Sequence, residues 1–159
     1  MSREITRPED VAAVLTAARV VAVLGAHPSP ERPAFYVPAY LHQQGYRILP
    51  VNPAFVGQVL FGEPVRGTLA ELAGHRVDIV DVFRRAELLE GHLEDLLAMA
   101  PLPTLVWLQA GIRHEGFTAT VLGAGIDVIQ DRCMYADHRA FRLPPVPAIG
   151  EDAGRPVGG

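Results

Sequence analysis

Five short apolar runs, each followed by a stretch with helical spacing, constrain what this chain can fold into more than any other feature. The runs are residues 20–24, 46–51, 77–83, 104–109 and 125–130. Residues 20–24 (VVAVL) contain no polar side chain, the pattern of a strand buried on both faces. Before it, Val11, Val14, Leu15 and Ala18 recur at helical spacing, predicting a helix over residues 7–18 with Thr6 and Glu9 as a capping box. Residues 33–44 carry Phe35, Val37, Tyr40 and Leu41 and are stopped by Gly45. A short helix is expected over 68–73, the longest over 85–99, and two more over 115–122 and 135–141.

Strand–helix alternation of this kind predicts an α/β fold. It is a Rossmann-like doubly wound parallel sheet of about five strands, in three α/β/α layers with right-handed crossovers. The expected strand order is 3-2-1-4-5; alternation alone does not separate it from the flavodoxin-like 2-1-3-4-5. Residues 1–143 read as one domain. Residues 144–159 are rich in proline and glycine and read as a tail, mobile or draped over the surface.

Composition removes several chemistries. The net charge is −4, which speaks against a general nucleic-acid or anionic-membrane surface. All 14 lysine-or-arginine positions are arginine, so neither a Schiff-base lysine nor a Walker lysine is present. Cys133 is the single cysteine, which excludes an internal disulfide and fits a reducing cytoplasm. The first ten residues lack an apolar core, so no signal peptide is expected, and the most apolar region, 11–26, falls short of the ~20 residues of a membrane helix. The six histidines show no metal-ligand spacing. Trp107 reads as core. Asp78 and Asp81, three apart in one strand, point to opposite faces and are no carboxylate pair; one is expected at the strand edge, the other near a helix start.

A fold of this class binds ligands beyond the carboxyl ends of its strands, at the switch point beside the first. The loops nominated are 25–33, 50–53, 83–85, 109–113 and 131–133. Arg32, Arg84, Arg85, Arg113 and Arg132 all fall in them, in a chain that is acidic overall. Converging guanidinium forks suit a phosphate-bearing ligand. Gly25 permits a sharp turn and close backbone approach, and Pro33 suits a first helical turn whose free N–H groups attract phosphate. The loop lacks the second and third glycines of a dinucleotide fingerprint. Asn52-Pro53 stands where an acidic residue would hold the ribose of NAD.

The segments GAHPSPERP, GYRILPVNP, VDIVDVFRR, TLVWLQAGI and GIDVIQDRCMYADHR, in this order, resemble the small bacterial CoA-binding proteins. Those stand-alone domains are related to the CoA-binding domain of the succinyl-CoA synthetase α subunit. The resemblance covers residues 18–142. It implies a Rossmann-like fold with coenzyme A or an acyl-CoA as ligand. By position, Gly25, Ala26, His27, Arg32 and Pro33 are then expected at the phosphates, and Asn52 and Pro53 at the adenosine. Phe83, Arg84 and Arg85 close the pocket, and Gln109, Gly111 and Ile112 form the fourth-strand loop that contacts CoA. The phosphohistidine domain of the synthetases does not fit in this length, so ligase activity is not implied.

Three functions stay open at this point. The first is a cytoplasmic CoA or acyl-CoA binding module without turnover, acting as a sensor, a carrier or the partner of an acyl-CoA enzyme. The second is an NAD(P)-linked oxidoreductase, and the third a regulatory subunit with a vestigial pocket. Cys133, with Arg132 beside it and His138 five residues on, reads as a packed or ligand-lining thiol, with catalysis or a mixed disulfide with CoA as alternatives. The acyl group and the oligomeric state have no signal in the sequence.

Overall fold

The computed structural model describes residues 1–147. Helix α1 (Pro8–Ala17) leads into β1 (Val20–Leu24), α2 (Pro33–Gln43) and β2 (Arg47–Val51). A small antiparallel hairpin follows, β3 (Val59–Leu60) and β4 (Glu63–Pro64). Then come β5 (Ile79–Val82), α3 (Leu93–Leu97), β6 (Leu105–Leu108), α4 (Glu115–Gly123), β7 (Asp127–Ile129) and α5 (Met134–Ala140).

Five of the strands form one parallel sheet in the order β2-β1-β5-β6-β7. This is the expected Rossmann-like architecture, but the order, numbered along the chain, is 2-1-3-4-5 and not 3-2-1-4-5. The outer edge of β2 shows why. After the hairpin, Arg66 makes one parallel bridge to Val51. Its N–H donates to the Pro50 carbonyl at 3.1 Å, and its carbonyl accepts the Asn52 N–H at 2.8 Å. A single residue thus stands where a Rossmann fold has its third strand. The two-residue hairpin strands are too short to carry a period in the sequence.

The apolar runs are explained by what covers them. Alternate residues of a strand point to opposite faces. Val21, Val23, Ile48, Ile79 and Trp107 pack under α1, α2 and α5, against Val11, Leu15, Val37, Leu41 and Met134. Ala22, Leu24, Leu49, Val80 and Val106 pack on the other side, against Leu69, Leu72, Leu89, Leu96, Phe117 and Val121. Both faces are dry, so every residue of β1 is buried. Trp107 is core, as expected, and its indole N–H donates to the Arg132 carbonyl at 2.7 Å. No helix among the described residues is long and apolar enough to cross a membrane.

Three local expectations are corrected. Arg7, not Thr6, is the N-cap of α1, with no side-chain cap; the Arg7 guanidinium instead pairs with Glu9. The helix expected over 85–99 is broken into a 3-10 segment, Ala86–His92, and the short α3, with Gly91 at the junction. Glycine there weakens helix propagation by about 1 kcal/mol. Asp78 is the one at the strand edge, where its carboxylate accepts the N–H groups of Arg19 and Val20, each at 2.9 Å, and holds the start of β1; the other, Asp81, bonds the Gln109 side chain inside the sheet and lies at no helix start. Of the tail, the stretch to residue 147 runs back over α2, where the Val146 N–H donates to the Gln44 carbonyl at 2.6 Å. Residues 148–159 lie outside the described residues.

Candidate functional site

The chain leaves β1 towards one edge of the sheet and β5 lies on the other side of β1, so the switch point falls between them. A cleft of about 580 Å³ opens beside it. One wall is the first turn and a half of α2: Arg32, Pro33, Ala34, Tyr36 and Val37. The other is built by the loops after β5 and β6: Phe83, Arg84, Arg85, Ala86 and Glu87, then Gln109, Ala110, Gly111 and Ile112, with Cys133 from the loop after β7.

Eight of the residues nominated from sequence therefore meet in one cleft: Arg32, Pro33, Phe83, Arg84, Arg85, Gln109, Gly111 and Ile112. The other five lie outside its lining. Ala26 is fully buried. Asn52 is buried too, and both ends of its amide are occupied: Nδ2 donates to the Ala26 carbonyl at 2.9 Å, and Oδ1 accepts the Ala54 N–H at 3.0 Å. His27 Nδ1 accepts the Ser29 N–H at 3.0 Å, and its ring meets Phe55 edge-on at 4.7 Å. Pro53 is exposed on the turn beside them. Gly25 is at φ +91°, and a Cβ there would stand 2.6 Å from the Phe83 carbonyl oxygen. What the fold requires of Gly25 is close approach to its own backbone, between β1 and the loop after β5.

The arginines divide in the same way. Arg132 makes two bonds to Asp137, at 2.7 and 3.0 Å, and Arg113 pairs with Glu115 at 3.1 Å and Glu4 at 3.8 Å. These two line a separate hollow of about 200 Å³. In the cleft, Arg85 faces Glu87 at 3.7 Å, with both side chains largely exposed. Among the described residues no carboxylate pairs with Arg32 or Arg84. Arg84 has a different partner: its Nε–H donates to His92 Nε2 at 3.3 Å. At the start of α2, Pro33 has no N–H, and Phe35 and Tyr36 donate theirs to the Arg32 carbonyl. Of the first-turn N–H groups, that of Ala34 has no backbone partner among the described residues.

Tyr36, Val37 and Glu87 were not foreseen as lining residues. Tyr36 is 45% exposed and lies one turn after Arg32, so the i, i+4 spacing on α2 is the signal that could have found it. Cys133 lines the cleft, but His138 does not serve it as a base: the ring is buried and its Nδ1 is hydrogen-bonded to the Tyr40 hydroxyl at 2.7 Å.

Residues 19–139 match the family described as CoA binding domain. The chain belongs to the CoA binding domain family. It is 33% identical over 130 residues to the uncharacterized protein YneT of Bacillus subtilis, covering 81% of this chain and 92% of that one. Among solved structures it is similar to "cell-free ID.343" of Thermus thermophilus, with 49% identity, a TM-score of 0.79, and 85% and 98% of the two chains covered. A hypothetical protein of Pyrococcus horikoshii OT3 has the same fold at 26% identity, with a TM-score of 0.78 over 90% and 99% of the chains. The two solved structures share the fold over nearly their full length.

Behind the cleft this CoA-binding domain buries an acid. Asp81 stands in β5 between Val23 and Trp107 and is wholly inaccessible. Its Oδ1 accepts from Gln109 Nε2 at 2.8 Å, while Oδ2 has no partner among the described residues. Burial pushes the carboxyl from 3.8 up to about 8, against the pull of the Gln109 bond. Between about pH 4 and pH 8 the unfolded chain carries an ionised Asp81 while the folded chain keeps its proton. Stability from this group is therefore full below the unfolded value and lost as pH rises through the folded one. Asp81→Asn keeps the shape and the bond to Gln109 without the charge. Its denaturation free energy, relative to the unaltered protein, is expected to rise on the order of 3 kcal/mol between about pH 5 and pH 8. Parallel pH profiles of the two proteins would show instead that Asp81 is ionised in the fold.

Proposed function

We propose that the cleft between α2 and the loops after β5 and β6 binds coenzyme A or an acyl-CoA. In this reading the protein is a cytoplasmic binding or regulatory module that acts with an acyl-CoA enzyme and has no turnover of its own. The observation that carries the proposal is Arg32 and Arg84, two guanidinium groups in one cleft of an acidic protein with no carboxylate against them among the described residues. Such groups are matched by phosphate oxygens, to which each offers a planar fork of donors. Phe83, Tyr36, Val37 and Ile112 add apolar and aromatic surface for the less polar part of the ligand. Membership of the CoA binding domain family supports CoA as the phosphate-bearing molecule. Gly25, Ala26, His27, Asn52 and Pro53 then act by shaping the rim: Asn52 holds the Ala26 carbonyl, Gly25 lets the turn pack on Phe83, and His27 packs on Phe55 beside the Pro53 turn.

Native mass spectrometry of gently purified protein tests the ligand directly. The expected spectrum contains a CoA or acyl-CoA adduct that added CoA increases and NADH leaves unchanged. An adduct formed with NADH and not with CoA would transfer the cleft to a dinucleotide. Asn52 speaks against that outcome, because a neutral amide, bonded to Ala26 and Ala54, stands at the end of β2 where a carboxylate would hold the ribose of NAD.

A further inference from the structure

His92 belongs to the 3-10 segment after β5, outside the cleft lining, yet it touches the cleft through Arg84. We propose that His92 is a positioning residue: its Nε2 holds Arg84 by the Nε–H, so that the two terminal nitrogens of the guanidinium are presented to a ligand phosphate. The inference rests on reading the cleft as a phosphate site. Three observations bring Arg84 under control. Its Nε–H is 3.3 Å from His92 Nε2. Its Cδ lies 3.1 Å from where a Cβ would stand on Gly25, so the stem runs close against the turn after β1. No carboxylate competes for the guanidinium among the described residues.

An arginine is always a donor, so His92 Nε2 must be the acceptor and the ring proton must sit on Nδ1. That state exists only while the imidazole is neutral. Burial and the adjacent Arg84 charge hold His92 below its ordinary value, against a smaller opposite pull from Asp95. The ring is thus neutral at pH 7. Protonation at lower pH removes the lone pair and places two cations side by side, which releases Arg84. A histidine is suited to this role because it accepts without adding a negative charge that would compete with phosphate.

Two measurements test this, one of them free of ligand. In NMR spectra of the protein alone, His92 is expected as the Nδ1–H tautomer, and Arg84→Gln is expected to raise its titration midpoint. An Nε2–H tautomer, or a midpoint that Arg84→Gln leaves unmoved, would overturn the proposal. The second is calorimetry with CoA at pH 7.5 and pH 5.5 on the unaltered protein, His92→Gln and His92→Leu. The CoA phosphate monoester titrates near pH 6 itself, so the readout is the difference between proteins. His92→Gln keeps an acceptor that does not titrate, and the unaltered protein should lose about tenfold more affinity than this variant on acidification. His92→Leu should bind about tenfold more weakly at pH 7.5, with no extra loss at pH 5.5. Superimposable profiles for all three would also overturn it. Absence of CoA binding in every protein at both pH values would instead end the CoA reading, leaving the NMR result to decide the anchor.

Discussion

Gly25→Ala is expected to destabilise the protein on the order of 3 kcal/mol, and Gly111→Ala by only about 1 kcal/mol, in chemical denaturation. Both glycines have positive φ, +91° and +85°. They differ in what a methyl group would meet. At Gly111 nothing lies within 4 Å, so only the backbone preference of an L residue is violated. At Gly25 the Cβ would stand 2.6 Å from the Phe83 carbonyl oxygen and 3.2 Å from its carbonyl carbon, both backbone atoms. Those atoms cannot rotate away, because the junction is hydrogen-bonded on two sides. The Gly25 N–H donates to Val51 at 2.8 Å, and the Phe83 N–H donates to Leu24 at 2.9 Å. Relief requires β1 or the loop after β5 to shift, which moves Arg84 as well. Equal losses for the two variants would mean that this close approach is absent.

The second large effect concerns the ligand. Arg32→Gln combined with Arg84→Gln is expected to weaken CoA binding about 100-fold or more, since each charge-assisted bond lost is worth roughly 1.5–3 kcal/mol. The fold should tolerate the pair, because neither guanidinium holds a carboxylate among the described residues. Arg132→Gln should do the reverse. It breaks a two-bond pair with Asp137, at 2.7 and 3.0 Å, and lies outside the cleft, so stability falls while CoA affinity stays. An equal effect of all three substitutions on affinity would reduce the cleft to a generally basic surface.

Much of this was legible in the sequence, for reasons the structure makes plain. The five runs stand out as apolar because helices cover both faces of the sheet, so their central residues are buried on either side, with Asp81 in β5 as the buried exception. The loops at the carboxyl ends were identified by counting strands, and eight of the nominated residues meet in the cleft. What was not legible depends on partners far apart in the chain. Nothing near Arg113 reveals that Glu4 will reach it, and the Arg132–Asp137 pair falls five residues apart, off the usual helical spacing. The strand order was missed because Arg66, alone beside Val51, carries no strand pattern. Asn52 reads as a ligand contact by position, and only the folded chain shows its amide bonded to Ala26 and Ala54. Gly25 reads as a ligand-approach glycine in sequence and is a backbone-approach glycine in the fold.

The central claim is that this cleft holds CoA through Arg32 and Arg84. The most direct measurement is a calorimetric titration of CoA into the intact chain at pH 7.5, beside the Arg32→Gln/Arg84→Gln double variant. The account predicts saturable binding at one site, with a Kd on the order of 10 μM, about −7 kcal/mol, and its collapse towards the millimolar range in the variant. No saturable heat with the unaltered protein up to about 1 mM CoA, near −4 kcal/mol, or equal affinity in the variant, would contradict it.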